Sequence, residues 1–152
     1  MYKKKKFPAS ILRFYQVYGP NQKIDRVIPL LINACIRNNE LPFSHGLQKR
    51  DFLYVDDAIS AILKTINNKM SEGKIINVGN GKPIALIKMI KVIKKQIKGG
   101  NVLFGKIKLR KDEPMNIFPN LNRARNILNW KNKTTLQSGI NKTIKFYKKI
   151  II

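Results

Sequence analysis

The stretch "RDFLYVDDAISAIL", Arg50 to Leu63, changes its period in the middle. Its first part, "DFLYV", alternates and is β-prone. After it, Ile59, Ile62, Leu63 and Ile66 recur at i, i+3, i+4 and i+7, the spacing of one helix face. Asp56 is placed to cap that helix, and Asp56 with Asp57 favours a helix N-terminus through the dipole. A strand that runs straight into a helix is a building unit of α/β folds. The aspartates are explained by structure. Arg50 is not: it can pair with Asp51 or Asp56, or it can serve an anion from outside the chain.

The rest of the chain keeps the same rhythm. "SILRF", Ser10 to Phe14, reads as a buried strand between Pro8 and the turn "YGPNQ". "DRVIPLLINACIRNN" reads as a helix with Asp25 as its cap and Val27, Leu31, Ala34 and Cys35 on one face. Pro29 sits in its first turn, where a missing N–H costs little, and Asn38 and Asn39 suit its end. "LPFSHGLQK" reads as a loop. "KIINVGNGKP" is a short strand with a glycine turn, and "IALIKMIKVIKKQI" an amphipathic helix stopped by Gly99-Gly100. "NVLFG" is a further strand, and "KLRKDEPMNIFPNLN" a loop. Asn122 can cap a short helix ending near Trp130. Thr135 can cap a last one with Leu136, Ile140, Ile144 and Tyr147 on one side. Residues 1–152 are therefore expected to form a single α/β region of short strands and several helices. A parallel-type strand needs neighbours, and no strong strand precedes Ser10, so part of a sheet is expected to be missing.

Composition narrows the partners. The formal net charge of +23 raises nucleic acid or an anionic membrane surface. However, the lysines are scattered over the polar sides of helical patterns and accompany an excess of Ile and Asn, as AT-rich coding produces. Aromatics are not interleaved with them as stacking platforms, so nucleic acid is the weaker reading. The single cysteine, Cys35, excludes an internal disulfide, and the lone His45 makes a poor metal site. No run is long enough to span a bilayer and no signal peptide is legible, so a cytoplasmic protein is expected.

The order of motifs resembles a known family. "ILRFYQVYGPNQ", "RVIPLLI", "LPFSHGLQKRDFLYVDDAISAIL", "IINVGNGKPIAL", "LRKDE" and "NLNRARNILNWKNKTTLQSGINKTIKFY" follow one another as in the C-terminal half of extended short-chain dehydrogenases/reductases. These are the NAD-dependent epimerase/dehydratase enzymes that act on nucleotide-diphosphate sugars. The resemblance implies a Rossmann-type fold and gives Arg50 and Arg110 as ligands of the substrate diphosphate. Guanidinium forks suit such oxygens. It gives Glu113 as a partner of a sugar or ribose hydroxyl. Gln16 stands where the family more often has Asn, on the sugar side. Tyr15 falls near the nicotinamide. Phe43 would offer the base an apolar face and Ser44 a polar group. Without the resemblance, Arg110 and Glu113 read as a local surface pair.

What the chain lacks shapes the expected mechanism. It contains no glycine fingerprint for NAD or NADP. Tyr2 and Lys6 have the Tyr-x-x-x-Lys spacing of the family's catalytic pair, but within a lysine run and too close to Leu12 for the helix that should intervene. No catalytic residue is therefore expected here. The cofactor would bind productively only in a complete enzyme, with a separate N-terminal Rossmann half as a possible partner. A stand-alone nucleotide-sugar or partner-binding module is the alternative, and a basic nucleic-acid-binding domain a weaker one.

Overall fold

A computed structural model describes residues 7–151; Tyr2 and Lys6 lie outside the described residues. Among these, strands β1 (Ile11–Phe14), β2 (Val17–Tyr18), β3 (Glu40–Pro42), β4 (Lys49–Arg50), β5 (Leu53–Tyr54), β6 (Ile75–Val78), β7 (Ile84–Ala85), β8 (Asn101–Leu103) and β9 (Asn116–Ile117) alternate with five α-helices. The helices are α1 (Val27–Ile36), α2 (Val55–Leu63), α3 (Leu86–Ile97), α4 (Asn122–Leu128) and α5 (Leu136–Ile151). Pairing is mostly parallel: β1 with β6, β2 with β5, β3 with β8 and β4 with β9. β7 runs antiparallel to β4. Parallel pairs require crossovers, and the helices supply them. The expected α/β class is therefore what forms, with strands shorter than the sequence patterns. "DFLYV" gives only β5 before the helix begins, and the expected loops around Pro42 and Ile117 each contain short pairings.

Two apolar clusters hold the fold. The larger joins α1, α3 and α5 through Leu31, Ile32, Met89, Ile90, Ile93, Ile140 and Tyr147. Here the helical spacing was a sufficient guide: Leu31, Ala34 and Cys35, and Ile140, Ile144 and Tyr147, are buried. The lysines of α3 and α5, such as Lys88, Lys95, Lys145 and Lys148, lie on the exposed sides. Gly100 lets α3 turn into β8. Its φ is +76°, and a Cβ there would stand 2.7 Å from the Cys35 Cα. The smaller cluster joins β1 and β6 to α2 and α4 through Ile76, Val78, Ala58, Ala61, Ala124, Leu128 and Trp130.

Several local expectations are corrected. The N-cap of α1 is Arg26, without a side-chain bond, so Asp25 does not cap it. α2 begins at Val55 after Tyr54, so Asp56 lies inside the first turn and pairs across the surface with Lys142 at 3.6 Å. For α4 the side chain that takes the first N–H is Asn120, which accepts from Asn122 at 2.9 Å. Thr135 does what its position implies: its hydroxyl accepts the Ser138 N–H. The largest difference concerns α2. Its buried face is Asp57, Ala58 and Ala61, whereas the stripe Ile59, Ile62, Leu63 and Ile66 is exposed. The small alanines join the cluster that holds Ile76 and Val78, and the bulky stripe is turned outward.

Ile140 is fully buried between three helices. Ile140→Ala should lower unfolding free energy by about 2–5 kcal/mol in chemical denaturation. Ile66→Ala, at an exposed position, should stay within about 0.5 kcal/mol.

Candidate functional site

In parallel α/β arrangements ligands collect beyond the carboxyl ends of the strands. The β1–β6 pair ends at Phe14 and Val78. Beyond β1 opens a cleft of about 920 Å³ whose walls include Tyr15, Gln16, Arg26 and Val27, with Asp51 and Phe52 from the β4–β5 segment. Backbone bonds fix this edge. Tyr15 N–H donates to Val78 O at 3.1 Å, and Leu53 N–H donates to Gln16 O at 3.1 Å. Tyr15 is half-buried and Gln16 exposed.

Asp51 is the electrostatic centre of the region. It is fully buried. Its carboxylate accepts the N–H of Asn80 at 2.5 Å and that of Gly81 at 2.6 Å. Burial pushes the carboxyl above its ordinary range, and the backbone donors of Asn80, Gly81 and Lys82 pull it back. A Cβ on Gly79 would stand 2.7 Å from Asp51 Oδ1, so glycine is needed for the turn to close on this side chain. Among the described residues, this glycine turn "GNGK" cradles an internal anion. The N–H groups of Asn80 and Gly81 are thus engaged within the chain.

Arg50, next along the strand, faces elsewhere. It is 6% exposed. Its Nη1 donates to Pro114 O and Lys49 O, both at 2.8 Å, and its Nη2 pairs with Glu113 Oε1. Arg50 therefore pairs with neither Asp51 nor Asp56, and Glu113 does not pair with Arg110. Arg110 is exposed, and its carbonyl accepts the Glu113 N–H at 3.1 Å. Arg110 and Glu113 thus belong to the loop from Phe104 to Met115, which Arg50 meets from β4. That loop also reaches Phe43: Ile107 N–H donates to Phe43 O, and the Phe43 and Phe104 rings meet edge to face at 6.5 Å. Phe43 is part of the larger core, and the Ser44 hydroxyl accepts from Gly46 N–H and from the Gln48 amide at 3.1 Å. The structure thus forms two groups: Tyr15 and Gln16 on the cleft, and Phe43, Ser44, Arg50, Arg110 and Glu113 around the long loop.

Two further residues make contacts that the sequence pattern does not show. Asp57 accepts the N–H groups of Lys133 and Thr134 at 2.9 and 3.0 Å, which ties α2 to the segment before α5. Tyr18 stands on the cleft wall, and its hydroxyl pKa is pushed well above the ordinary range, first by burial and then by Tyr54 and Asp57. Among the described residues there is no group of His, Cys, Asp and Glu able to hold a metal ion, and no helix is long and apolar enough to cross a membrane.

The fold is a Rossmann-type α/β region with a cleft at its strand ends. Residues 1–79 match the model of the NAD dependent epimerase/dehydratase family. The chain belongs to that family, as a partial extended short-chain dehydrogenase/reductase. It is 31% identical over 135 residues to CDP-abequose synthase of Salmonella muenchen, covering 88% of this chain and 46% of that protein. It is 33% identical over 150 residues to dTDP-D-glucose 4,6-dehydratase of Mus musculus, covering 95% of this chain and 42% of that protein. The crystal structure of UDP-glucuronic acid 4-epimerase from Bacillus cereus, in complex with UDP-glucuronic acid and NAD, matches with a TM-score of 0.89 at 27% identity. The match covers 98% of this chain and 48% of that one. The chain thus spans less than half the length of these relatives.

Asp51→Asn would turn an amide N–H toward one backbone donor. It should cost about 1–3 kcal/mol in denaturation. Glu113→Gln removes the charge that Arg50 is paired with and should cost a similar amount, about 1–3 kcal/mol.

Proposed function

We propose that residues 1–152 form the nucleotide-diphosphate-sugar-binding region of an NAD(P)-dependent epimerase, dehydratase or reductase. The observation that carries this reading is the cleft at the end of β1, with Tyr15 and Gln16 on its wall, in a chain of the epimerase/dehydratase family. The relatives named above act on, or are held in complex with, CDP-, dTDP- or UDP-linked sugars.

In this reading Arg110 makes the first contact with the diphosphate, because it is exposed. Arg50 is the second ligand. Its Nη2 is engaged by Glu113, so the substrate takes over this fork as Glu113 turns to a sugar or ribose hydroxyl. Gln16 orients the sugar side. Its extra methylene relative to Asn moves the amide further into the cleft. Phe43 and Ser44 stand beside the nucleotide base, and Tyr15 beside the nicotinamide. NAD(P) supplies hydride transfer at a sugar carbon in the complete enzyme. This sequence holds no glycine fingerprint and no credible Tyr-x-x-x-Lys pair, and on that ground this chain alone does not hold the dinucleotide productively and does not turn over. We place the chain in the cytoplasm.

Calorimetric titration of the purified chain with UDP-glucose, UDP-glucuronic acid and NAD tests this reading. At least one nucleotide sugar should bind, and NAD should give no saturable heat. Arg110→Ala should weaken the sugar nucleotide by about 10- to 100-fold, the loss of a charge-assisted bond worth about 1.5–3 kcal/mol. A folded chain that binds a DNA fragment in a salt-dependent way, and no nucleotide sugar, would sink the proposal.

A further inference from the structure

Asn80-Gly81 is the one Asn-Gly dipeptide in the sequence. An asparagine before glycine is open to attack by the chain on itself. The backbone nitrogen of the glycine can reach the asparagine Cγ, because no Cβ blocks the approach. Here the fold holds both reacting groups. The Gly81 N–H donates to Asp51 Oδ2 at 2.6 Å, and the Asn80 N–H donates to Oδ1 of the same carboxylate at 2.5 Å. On the side-chain end, Asn80 Oδ1 accepts from Asn132 Nδ2 at 2.9 Å. Gly81 has a φ of +77°, and a Cβ there would stand 2.9 Å from Leu121 Cδ1. Asn80 and Asn132 line a second cleft of about 390 Å³, with Phe52, Lys82 and Thr134 on its walls. Water therefore has a route to the Asn80 amide, while the Gly81 nitrogen is turned to a buried carboxylate.

We propose that Asn80 is a modification site, converted to aspartate or isoaspartate by deamidation, and that Asp51 and Asn132 keep it locked in the native fold. In the reaction the Gly81 nitrogen loses its proton and forms a bond to Asn80 Cγ. The Cγ–Nδ2 bond breaks, and ammonia leaves with that proton. Water then opens the cyclic imide at one of its two carbonyls. Water is the only co-reactant, and no oxidation state changes. The lock is electrostatic. A nitrogen that donates to a carboxylate holds its proton more firmly, because the negative charge opposes a second one beside it. The N–H that seats Asp51 is thus the group that has to be freed, so the reaction waits for the turn to open locally. The product undoes the seat. In the imide the Gly81 nitrogen carries no hydrogen, and in isoaspartate the backbone between residues 80 and 81 gains a methylene. Either change leaves the buried Asp51 short of a well-placed donor, which destabilises the turn.

Peptide mapping by mass spectrometry tests the site, on the purified chain kept at mildly alkaline pH. The readout is the rate at which the Asn80 peptide gains the mass of an amide-to-acid change. In guanidinium chloride, with the chain unfolded, Asn80 should convert fastest among the asparagines. In the folded chain it should convert at least about tenfold more slowly, since only opened turns react. Asn132→Ala and Asp51→Asn should each bring the folded rate back toward the unfolded one. Ile140→Ala weakens the core away from the turn and should leave the rate unchanged while the chain stays folded. If Asp51→Asn does not fold, Asn132→Ala decides alone. The converted chain, separated by its added negative charge, should melt a few degrees below the unconverted one. Equal rates in the folded and unfolded chain, no acceleration in Asn132→Ala, the same acceleration in Ile140→Ala, or an unchanged melting temperature after conversion would each overturn the proposal.

Discussion

A carboxylate removed from water has to find donors inside the protein. Asp51 finds them in the backbone of the turn after β6, and much of the remaining geometry depends on that contact. It fixes the β4–β5 segment against the end of β6. Phe52 then joins the core beside Tyr18, their rings 6.3 Å apart, and Leu53 reaches Gln16 by its backbone. The carboxyl ends of β1 and β6 are held at one point by this arrangement. A cleft can open there because its floor is tied down by hydrogen bonds and not by side-chain packing alone.

Neighbouring residues on a strand point to opposite sides. Asp51 and Arg50 use this to serve two walls of the region. Asp51 turns to the glycine turn, and Arg50 turns to the loop before β9. An arginine almost fully removed from solvent is stable only with its donors engaged. Here the carbonyls of Lys49 and Pro114 and the Glu113 carboxylate engage them. The pair of oppositely charged neighbours in the sequence is thus not an ion pair at all. Each residue meets a partner remote in sequence.

That separation explains what could be read from the sequence. The helix faces of α1, α3 and α5 were legible because their period is local and the positions of Leu31, Ile90 or Ile140 allow one buried side. Caps were read less well. Asp25, Asp56 and Asn122 each have a capping side chain near a helix start, but the chain enters each helix at a different residue. The face of α2 was misleading for another reason. Hydrophobic spacing marks the Ile and Leu stripe and is blind to Ala58 and Ala61, which join the cluster that holds Ile76 and Val78. Arg50 was visible as an unexplained charge beside an apolar run, and Asp51 only as its possible ion-pair partner. Their partners, 63 and about 30 residues away, were not. Asp57 was read only as favouring a helix N-terminus, and its two donors, 76 and 77 residues further on, were not visible.

The loop from Phe104 to Met115 is pinned at both ends and loose between them. Ile107 is held by Phe43, Glu113 by Arg50, and the Met115 carbonyl by the Lys49 N–H. Lys108 to Asp112 lie in water. The middle of the loop can therefore lengthen, shorten or change composition across generations with no penalty in the core. Closing a few more residues between fixed anchors costs little. Chemical novelty in a lineage can accumulate in this stretch while the two clusters beneath it stay as they are.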